Sequence, residues 1–284
     1  MSVYYHLEKN FFSEPLEFED IFVAQIGRMY CNRDTVIDEH MHTVLYELTV
    51  VTGGKGTVII NGTPVPLERG DIHITFPCDT HKIITDKENP LKFDFLAFTT
   101  TDEEFASELL KISERCHSPE LRIFHDERIP PFISNAISEL NSENAYKHQL
   151  LLAIFKEIII YTIRSFLGEP SKIQPDNLDR AEVLCQRIMN YIDTHIYSLV
   201  NLKEIATAMD YSYGYLSNIF KNTTGSTLME YFVNKKLDVA RLLILEGKIK
   251  ISEISDMLNY STQNAFSKAF KKRFGVSPKK YKEK

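Results

Sequence analysis

Residues 251–278 read ISEISDMLNYSTQNAFSKAFKKRFGVSP, and this stretch constrains the chain more than any other. Ile251, Ile254 and Leu258 recur at helical spacing, the buried stripe of a short helix. Residues 259–261 break that pattern, and Thr262 is suited to cap a second helix. The second helix would bury Phe266, Phe270 and Phe274, each four residues apart, and turn Gln263, Asn264, Ser267, Lys268 and Lys271 outward. Helix, tight turn, helix, with hydrogen-bonding side chains on the second helix, fits a DNA major groove. Two ordinary core helices with a solvated polar face would leave the same window.

The pattern occurs twice. A short helix over 202–209 is followed by a turn at Asp210 and Tyr211, and Ser212 can cap the next helix. Leu216 and Phe220 stand four and eight residues past that cap, as Phe266 and Phe270 do past Thr262. Ile205, Ala206, Met209 and Tyr211 recur as Ile254, Ser255, Leu258 and Tyr260. A repeat offset by about fifty residues is harder to reach by chance than a single match. Between the two units, residues 228–246 form a continuous helix about 28 Å long at about 1.5 Å per residue. One turn of B-DNA is about 34 Å, so such a spacer can set two recognition helices in successive major grooves. Arg241 and Lys235 on the spacer read as solvated surface.

The net charge of −6 argues at first against a nucleic-acid partner. Its distribution reverses that. Residues 178–284 hold 17 Lys and Arg against 11 Asp and Glu, net +6, which leaves −12 on residues 1–177. A basic half joined to an acidic half is the asymmetry of a polyanion-binding domain tethered to something else. Lys268, Lys271, Lys272, Arg273, Lys279, Lys280, Lys282 and Lys284 crowd the last turn and tail, where phosphate contact is expected. The four cysteines are scattered without a CxxC pair, and no secretion leader is recognisable, so a reduced cytoplasmic location is expected.

The first hundred residues read as β structure. Expected strands are 21–26, 46–51, 57–60, 72–76, 82–85 and 91–98, with Gly53-Gly54 and Asn61-Gly62 supplying tight turns. Many short strands at close spacing indicate a small barrel or jelly roll. His40 and His42 alternate and so face one way; Glu47 and, later, His81 complete a set that suits a divalent metal, a polar ligand in the barrel mouth, or a structural rim. A helix is expected over 102–116. Pro119 and Pro130-Pro131 break the chain, and a second helical stripe follows at Phe132, Ile133, Ala136, Ile137 and Leu140. Residues 145–167 form a long helix that is apolar nearly all round, so it must be covered on more than one side. Lys156, Glu157 and Arg164 exclude a membrane span. One face should pack on the barrel, and the other pairs with a second copy or packs within the chain. Residues 168–177, GEPSKIQPDN, read as a linker.

Two resemblances follow from these motifs. His40, His42 and Glu47 resemble the first cupin motif, and His81 the metal-binding histidine of the second, although Asp79 stands where cupins usually have glycine. Residues 178–284 resemble the DNA-binding domain of the AraC/XylS family of bacterial transcription regulators. The residues carrying this are Lys236-Leu237, Ala240, Leu243, Ile251, Ile254, Ser255, Phe266, Phe270, Phe274-Gly275 and Ser277-Pro278. The implied fold is α+β in two domains. A cupin-like ligand-sensing and dimerisation domain would span 1–168, with the barrel at about 1–100 and helices at 101–168. A linker at 169–177 precedes an all-α DNA-binding domain at 178–284, with helix–turn–helix units at about 202–222 and 251–274. The resemblance implies base contacts from Gln263, Asn264 and Lys268, flanked by Ser267 and Lys271. In the first unit the equivalents are Gly214, Ser217 and Asn218, with Tyr213, Tyr215 and Lys221 on phosphate or thymine methyls. It further implies a non-enzymatic homodimer, joined through helix 145–167, that binds promoter DNA and RNA polymerase and answers to a small effector held near His40, His42, Glu47 and His81. A sugar is the first candidate. No cofactor is expected, though the His/Glu set admits a divalent metal. The alternative is a metal-dependent cupin enzyme fused to a DNA-binding domain.

Overall fold

The computed structural model describes residues 7–11, 14–167, 180–247 and 249–282. The linker expected at 169–177 lies outside them, as does Lys284 in the basic tail. Chain contacts divide the molecule into two compact units, residues 1–176 and 177–284.

The N-terminal unit is built from strands β1 (Leu7–Asn10), β2 (Leu16–Phe18), β3 (Ile21–Tyr30), β4 (Val36–Met41), β5 (Tyr46–Gly53), β6 (Lys55–Ile60), β7 (Thr63–Glu68), β8 (Ile72–Thr75), β9 (Thr80–Thr85), β10 (Lys92–Thr100) and β11 (Ile123–Phe124). They form two antiparallel sheets. The first has the order β1-β3-β10-β5-β8-β11, with β2 also on β3, and the second is β4-β9-β6-β7. Gly54 carries the chain from one sheet to the other at φ +75; a Cβ there would lie 2.0 Å from the Pro90 carbonyl oxygen, so only glycine fits. Asn61 and Gly62 both take positive φ, the requirement of the two-residue hairpin that closes β6 onto β7. Strand β7 contains Pro64 and Pro66, which are tolerated because β7 pairs on one side only, with β6.

Alternation along the first sheet decides which side chains enter the barrel. Leu48 and Val50 of β5, Ile72 and Ile74 of β8, and Leu96 and Phe98 of β10 form the outer face. There they pack with helices α1 (Glu103–Arg115), α2 (Ile129–Leu140) and α3 (Lys147–Leu167) in one apolar cluster. Pro130 and Pro131 do not break the chain as expected. They occupy the first turn of α2, where the missing N–H groups have no intrahelical acceptor to lose. Pro119 opens a short 3-10 helix, Pro119–Arg122. Inside the barrel, Val51, Phe93 and Phe95 of the first sheet meet Val58, Ile60, Val65, Leu67 and Ile83 of the second. Glu47, Thr49, His73 and Thr75 share the inner side of the first sheet and are also buried, so the interior is apolar in one part and polar in another.

The C-terminal unit is helical: α4 (Arg180–Thr194), α5 (Lys203–Ala208), α6 (Tyr213–Thr224), α7 (Leu228–Glu246), α8 (Ile251–Met257), α9 (Gln263–Phe274) and α10 (Pro278–Lys282). Helix α7 is secured by a capping box from Thr227 and Glu230 and ends at Gly247 with φ 72. No helix among the described residues is long and apolar enough to cross a membrane.

His73 tests the barrel interior. It is fully buried, and burial, then the neighbouring Arg122 and His81 charges, push its imidazole down to about 3. In the unfolded chain it protonates near 6.5, so between about pH 6.5 and 3 the unfolded state binds the extra proton and stability falls as pH falls. The wild type should therefore lose stability more steeply on acidification than His73→Gln. The difference should approach ~1.4 kcal/mol per pH unit in urea unfolding below pH 6. Equal slopes would show that His73 ionises freely in the fold.

Candidate functional site

Four side chains expected to act together are brought together in the barrel. His40, the penultimate residue of β4, lies opposite His81 of β9, with ring centroids 4.0 Å apart. His42 follows β4, and its ring centroid is 5.2 Å from that of His40. Glu47, on β5, is buried between them: its carboxylate is 3.1 Å from His42 Nε2 and 3.6 Å from His81 Nε2. One donor atom from each of His40, His42, Glu47 and His81 falls within 4.8 Å of all the others. In the tautomer protonated at Nδ1, His40 donates to the Asp38 carbonyl at 2.9 Å and leaves the Nε2 lone pair for a ligand.

The electrostatics of this set are coupled. Burial works to raise the Glu47 carboxyl, but the His81 and His42 imidazoles outweigh it and hold the group well below the usual carboxylate range. Burial works to lower His81, and the charges of Glu47 and Asp79 outweigh it, so His81 is raised. His40 is lowered, first by burial and then by His81. Both ring nitrogens of His81 are buried without a hydrogen-bond partner. Three imidazoles and a carboxylate at this spacing fit a divalent transition metal; the same atoms fit a ligand bearing hydroxyl groups.

Sequence reasoning passed over Thr49, His73 and Thr75. Register places Thr49 opposite His73 and Glu47 opposite Thr75, which extends the polar wall inward from the histidine set. His73 Nε2 is buried with no partner. The signal was present in Ile72-His73-Ile74-Thr75, whose alternation puts the polar pair on the face opposite the isoleucines. Asp79, the departure from the cupin pattern, braces a turn. Its carboxylate accepts from the Phe76 N–H at 2.9 Å, from Asn61 Nδ2 at 2.7 Å, and from the buried Arg122 guanidinium.

The two helix–turn–helix units are constructed alike. Asp210 and Asn259 take φ 58 and 53 at the turn, and the following N–H of Tyr211 or Tyr260 reaches back to the carbonyl of Ala206 or Ser255 at 3.0 Å. Ser212 caps α6 by accepting from the Tyr215 N–H, and Thr262 caps α9 by accepting from the Ala265 N–H. Leu216 and Phe220, like Phe266 and Phe270, are fully buried. Gly225 and Gly275 end the two helices with φ 77 and 78. From cap to terminal glycine the offset is constant, so Gln263 corresponds to Tyr213, Asn264 to Gly214, Ser267 to Ser217, Lys268 to Asn218 and Lys271 to Lys221. This corrects the pairing of Ser217 with a base-reading position of the second unit.

Gln263, Asn264, Lys268 and Lys271 are exposed, and Ser267 is half-buried. In the first unit Gly214, Asn218 and Lys221 are exposed, while Tyr213 and Ser217 are half-buried. No atom lies within 4 Å of a Cβ built on Gly214. Tyr215 stacks on Tyr211 with ring centroids 5.2 Å apart, and both stay largely exposed. Two basic residues fall elsewhere than expected. Lys235 is not solvated: it is 7% exposed and pairs with Asp193 at 3.0 Å, because its position on α7 faces α4. Arg273 is held by Asp238 at 2.6 Å and is not a free phosphate contact.

Comparison with known proteins agrees with both halves. Residues 205–284 match the helix-turn-helix domain family and residues 30–98 the cupin domain family. The Msm operon regulatory protein of Streptococcus mutans is 25% identical over 272 residues, 93% of each chain. The regulatory protein SoxS of Salmonella typhimurium is 30% identical over 99 residues, which cover 35% of this chain and 92% of SoxS. Among solved structures, fatty-acid-bound ToxT of Vibrio cholerae is similar at 12% identity over 95% of this chain and 96% of that one, with a TM-score of 0.42. With a cupin domain ahead of a paired helix–turn–helix domain that aligns along nearly the whole of SoxS, this chain belongs to the AraC/XylS family of transcription regulators.

Proposed function

We propose that this regulator is switched by a small effector bound in the polar part of the barrel, and that it reads paired promoter sites with both helix–turn–helix units. The observation that carries the reading is the parallel build of the two units, each with one apolar stripe locked inward and its polar stripe turned outward. The second unit supplies sequence readout. Gln263 and Asn264 match the paired donor and acceptor of adenine, and Lys268 matches guanine acceptors or phosphate, with Ser267 and Lys271 beside them. The first unit contributes through Tyr213, Ser217, Asn218 and Lys221, with Gly214 allowing close approach of the backbone. The regulator acts in the cytoplasm, and RNA polymerase is its downstream partner.

His40, His42, Glu47 and His81 line the effector site, with Thr49, His73 and Thr75 deeper in the wall. A carbohydrate is the first candidate, because hydroxyl groups can both donate to Glu47 and accept from the imidazoles. The chain works as a homodimer joined through α3. Leu150 and Leu167 on that helix are 49% and 58% exposed, apolar side chains that a second copy would cover. One observation favours a second reading, a metal-dependent cupin enzyme fused to a DNA-binding domain: one donor atom from each of the four residues lies within 4.8 Å of the others. A divalent ion held there would act as a Lewis acid.

Gln263→Ala with Lys268→Ala should weaken binding to a selected operator by about 1–3 kcal/mol per lost base contact and lower the salt slope by about one. The unfolding midpoint should not move, and unchanged affinity in a gel-shift titration would remove the assignment. In thermal-shift screening of the full chain, a sugar should raise the midpoint and Glu47→Gln should abolish the shift, with fatty acids as the contrasting panel. Elemental analysis of the same preparation separates the readings: a stoichiometric ion promotes the metal site, and a trace amount removes it. Leu150→Glu should convert the dimer to a folded monomer in sedimentation velocity. A dimer that persists would place the interface elsewhere.

A further inference from the structure

Helix α4, which packs on α6 of the first unit, and helix α9 of the second unit are each fastened to α7. Asp193 on α4 accepts from Lys235 Nζ at 3.0 Å and from the Tyr231 hydroxyl at 3.2 Å, both on α7. Arg273 on α9 donates to Asp238 on α7 at 2.6 and 2.8 Å. These contacts hold α4 and the second unit against the rod. The angle between the units still depends on the bending of α7 and on its two ends, where Gly225 and Gly247 take positive φ.

Among the described residues, a further hydrogen bond joins the second reading unit to the segment ahead of the first. Asn259 Nδ2 donates to the Tyr197 carbonyl at 2.7 Å, across 62 residues of sequence. Asn259 sits in the turn of the second unit, its own N–H tied to the Asp256 carbonyl at 2.9 Å. Tyr197 lies in the segment that leads from α4 into the first unit. That segment is anchored by the fully buried Ile196 and Leu199, and by the Leu199 N–H on the His195 carbonyl at 2.7 Å. Both ends of the bond therefore stand on fixed backbone. The turn itself does not need an amide. Asp210 occupies the same turn position in the first unit at φ 58, and a carboxylate has no N–H to donate.

We propose that Asn259 is a positioning residue for DNA reading: its side chain latches the second recognition unit to the segment preceding the first and sets the spacing at which two half-sites are read together. The Asp193 and Arg273 pairs, like the packing of α6, α8, α9 and α10, all run through the rod. A contact off the rod's axis closes a triangle and fixes the angle. The proposal rests on the DNA reading above. A solvent-exposed hydrogen bond of this kind contributes about two- to tenfold in an equilibrium constant, enough to discriminate spacings and too little to decide folding.

The test uses the full chain with Asn259→Gly and Asn259→Asp. Glycine is at ease at positive φ, and aspartate holds the same turn at Asp210, so both variants keep the backbone and lose the donor. Paired duplexes are first selected from a random pool by the wild type. They are then remade with the half-sites one base pair closer or farther, and affinities are read by fluorescence anisotropy. The ratio of affinity at the selected spacing to that at the shifted spacings should fall about three- to tenfold in both variants, with unchanged circular dichroism. A uniform loss at all spacings, or an unchanged ratio, overturns the latch and leaves the DNA reading intact. Failure of the wild type to select any paired sequence overturns both.

Discussion

A short helix can present a reading face only if its opposite face is buried in one rotational phase. In this chain that phase is set by two side chains per unit, Leu216 and Phe220 in α6 and Phe266 and Phe270 in α9, all fully buried. Removing a buried phenylalanine ring costs about 3–5 kcal/mol, whereas an N-cap is worth about 1 kcal/mol. The rings therefore decide the rotation of the helix, and Ser212 and Thr262 decide where it starts. Gln263, Asn264 and Lys268 owe their exposure to the phenylalanines between and behind them.

The sensor half obeys the same logic in a sheet. Strands β5, β8 and β10 are buried on both faces, so every second residue must suit a helix layer and its neighbours must suit a barrel interior. The helix layer takes Leu48, Val50, Ile72, Ile74, Leu96 and Phe98. The interior takes Glu47, Thr49, His73 and Thr75 at a cost, since each is a polar group withdrawn from water. Asp79 and Arg122 settle that cost by pairing with one another. His81 is offset by the Glu47 carboxylate at 3.6 Å, and His73 Nε2 is buried without a hydrogen bond, the feature that most separates this wall from a structural network.

Much of this was legible in the residues. The repeat, the caps at Ser212 and Thr262, the full extent of α7 and the Asn61-Gly62 hairpin are local, and each has a chemical signature within a few positions. What was not legible depends on partners distant in sequence. Lys235 reads as a surface lysine until Asp193 is placed beside it, 42 residues away. Asp79 reads as a missing glycine until Arg122 arrives, 43 residues on. Pro130 and Pro131 read as breakers because proline ends helices more often than it opens them, and only the position of Ile129 as the first residue of α2 reverses that.

The two reading units are built alike but chemically unequal, and on the proposed function that inequality has a direction. Phosphate contacts position a protein on the duplex, and base-edge contacts specify the sequence. The second unit carries amides and an ammonium at the positions where the first carries a tyrosine ring, a bare Gly214 and Asn218. An exposed stacked tyrosine pair beside a glycine offers contour and apolar contact to thymine methyls, and few directed hydrogen bonds. The first unit would then be tolerant of sequence by itself and gain discrimination through its rigid connection to the second. Such a division of labour makes the angle between the units as much a determinant of specificity as any base-contacting side chain, because a weakly specific head reads correctly only when its partner has already fixed the register.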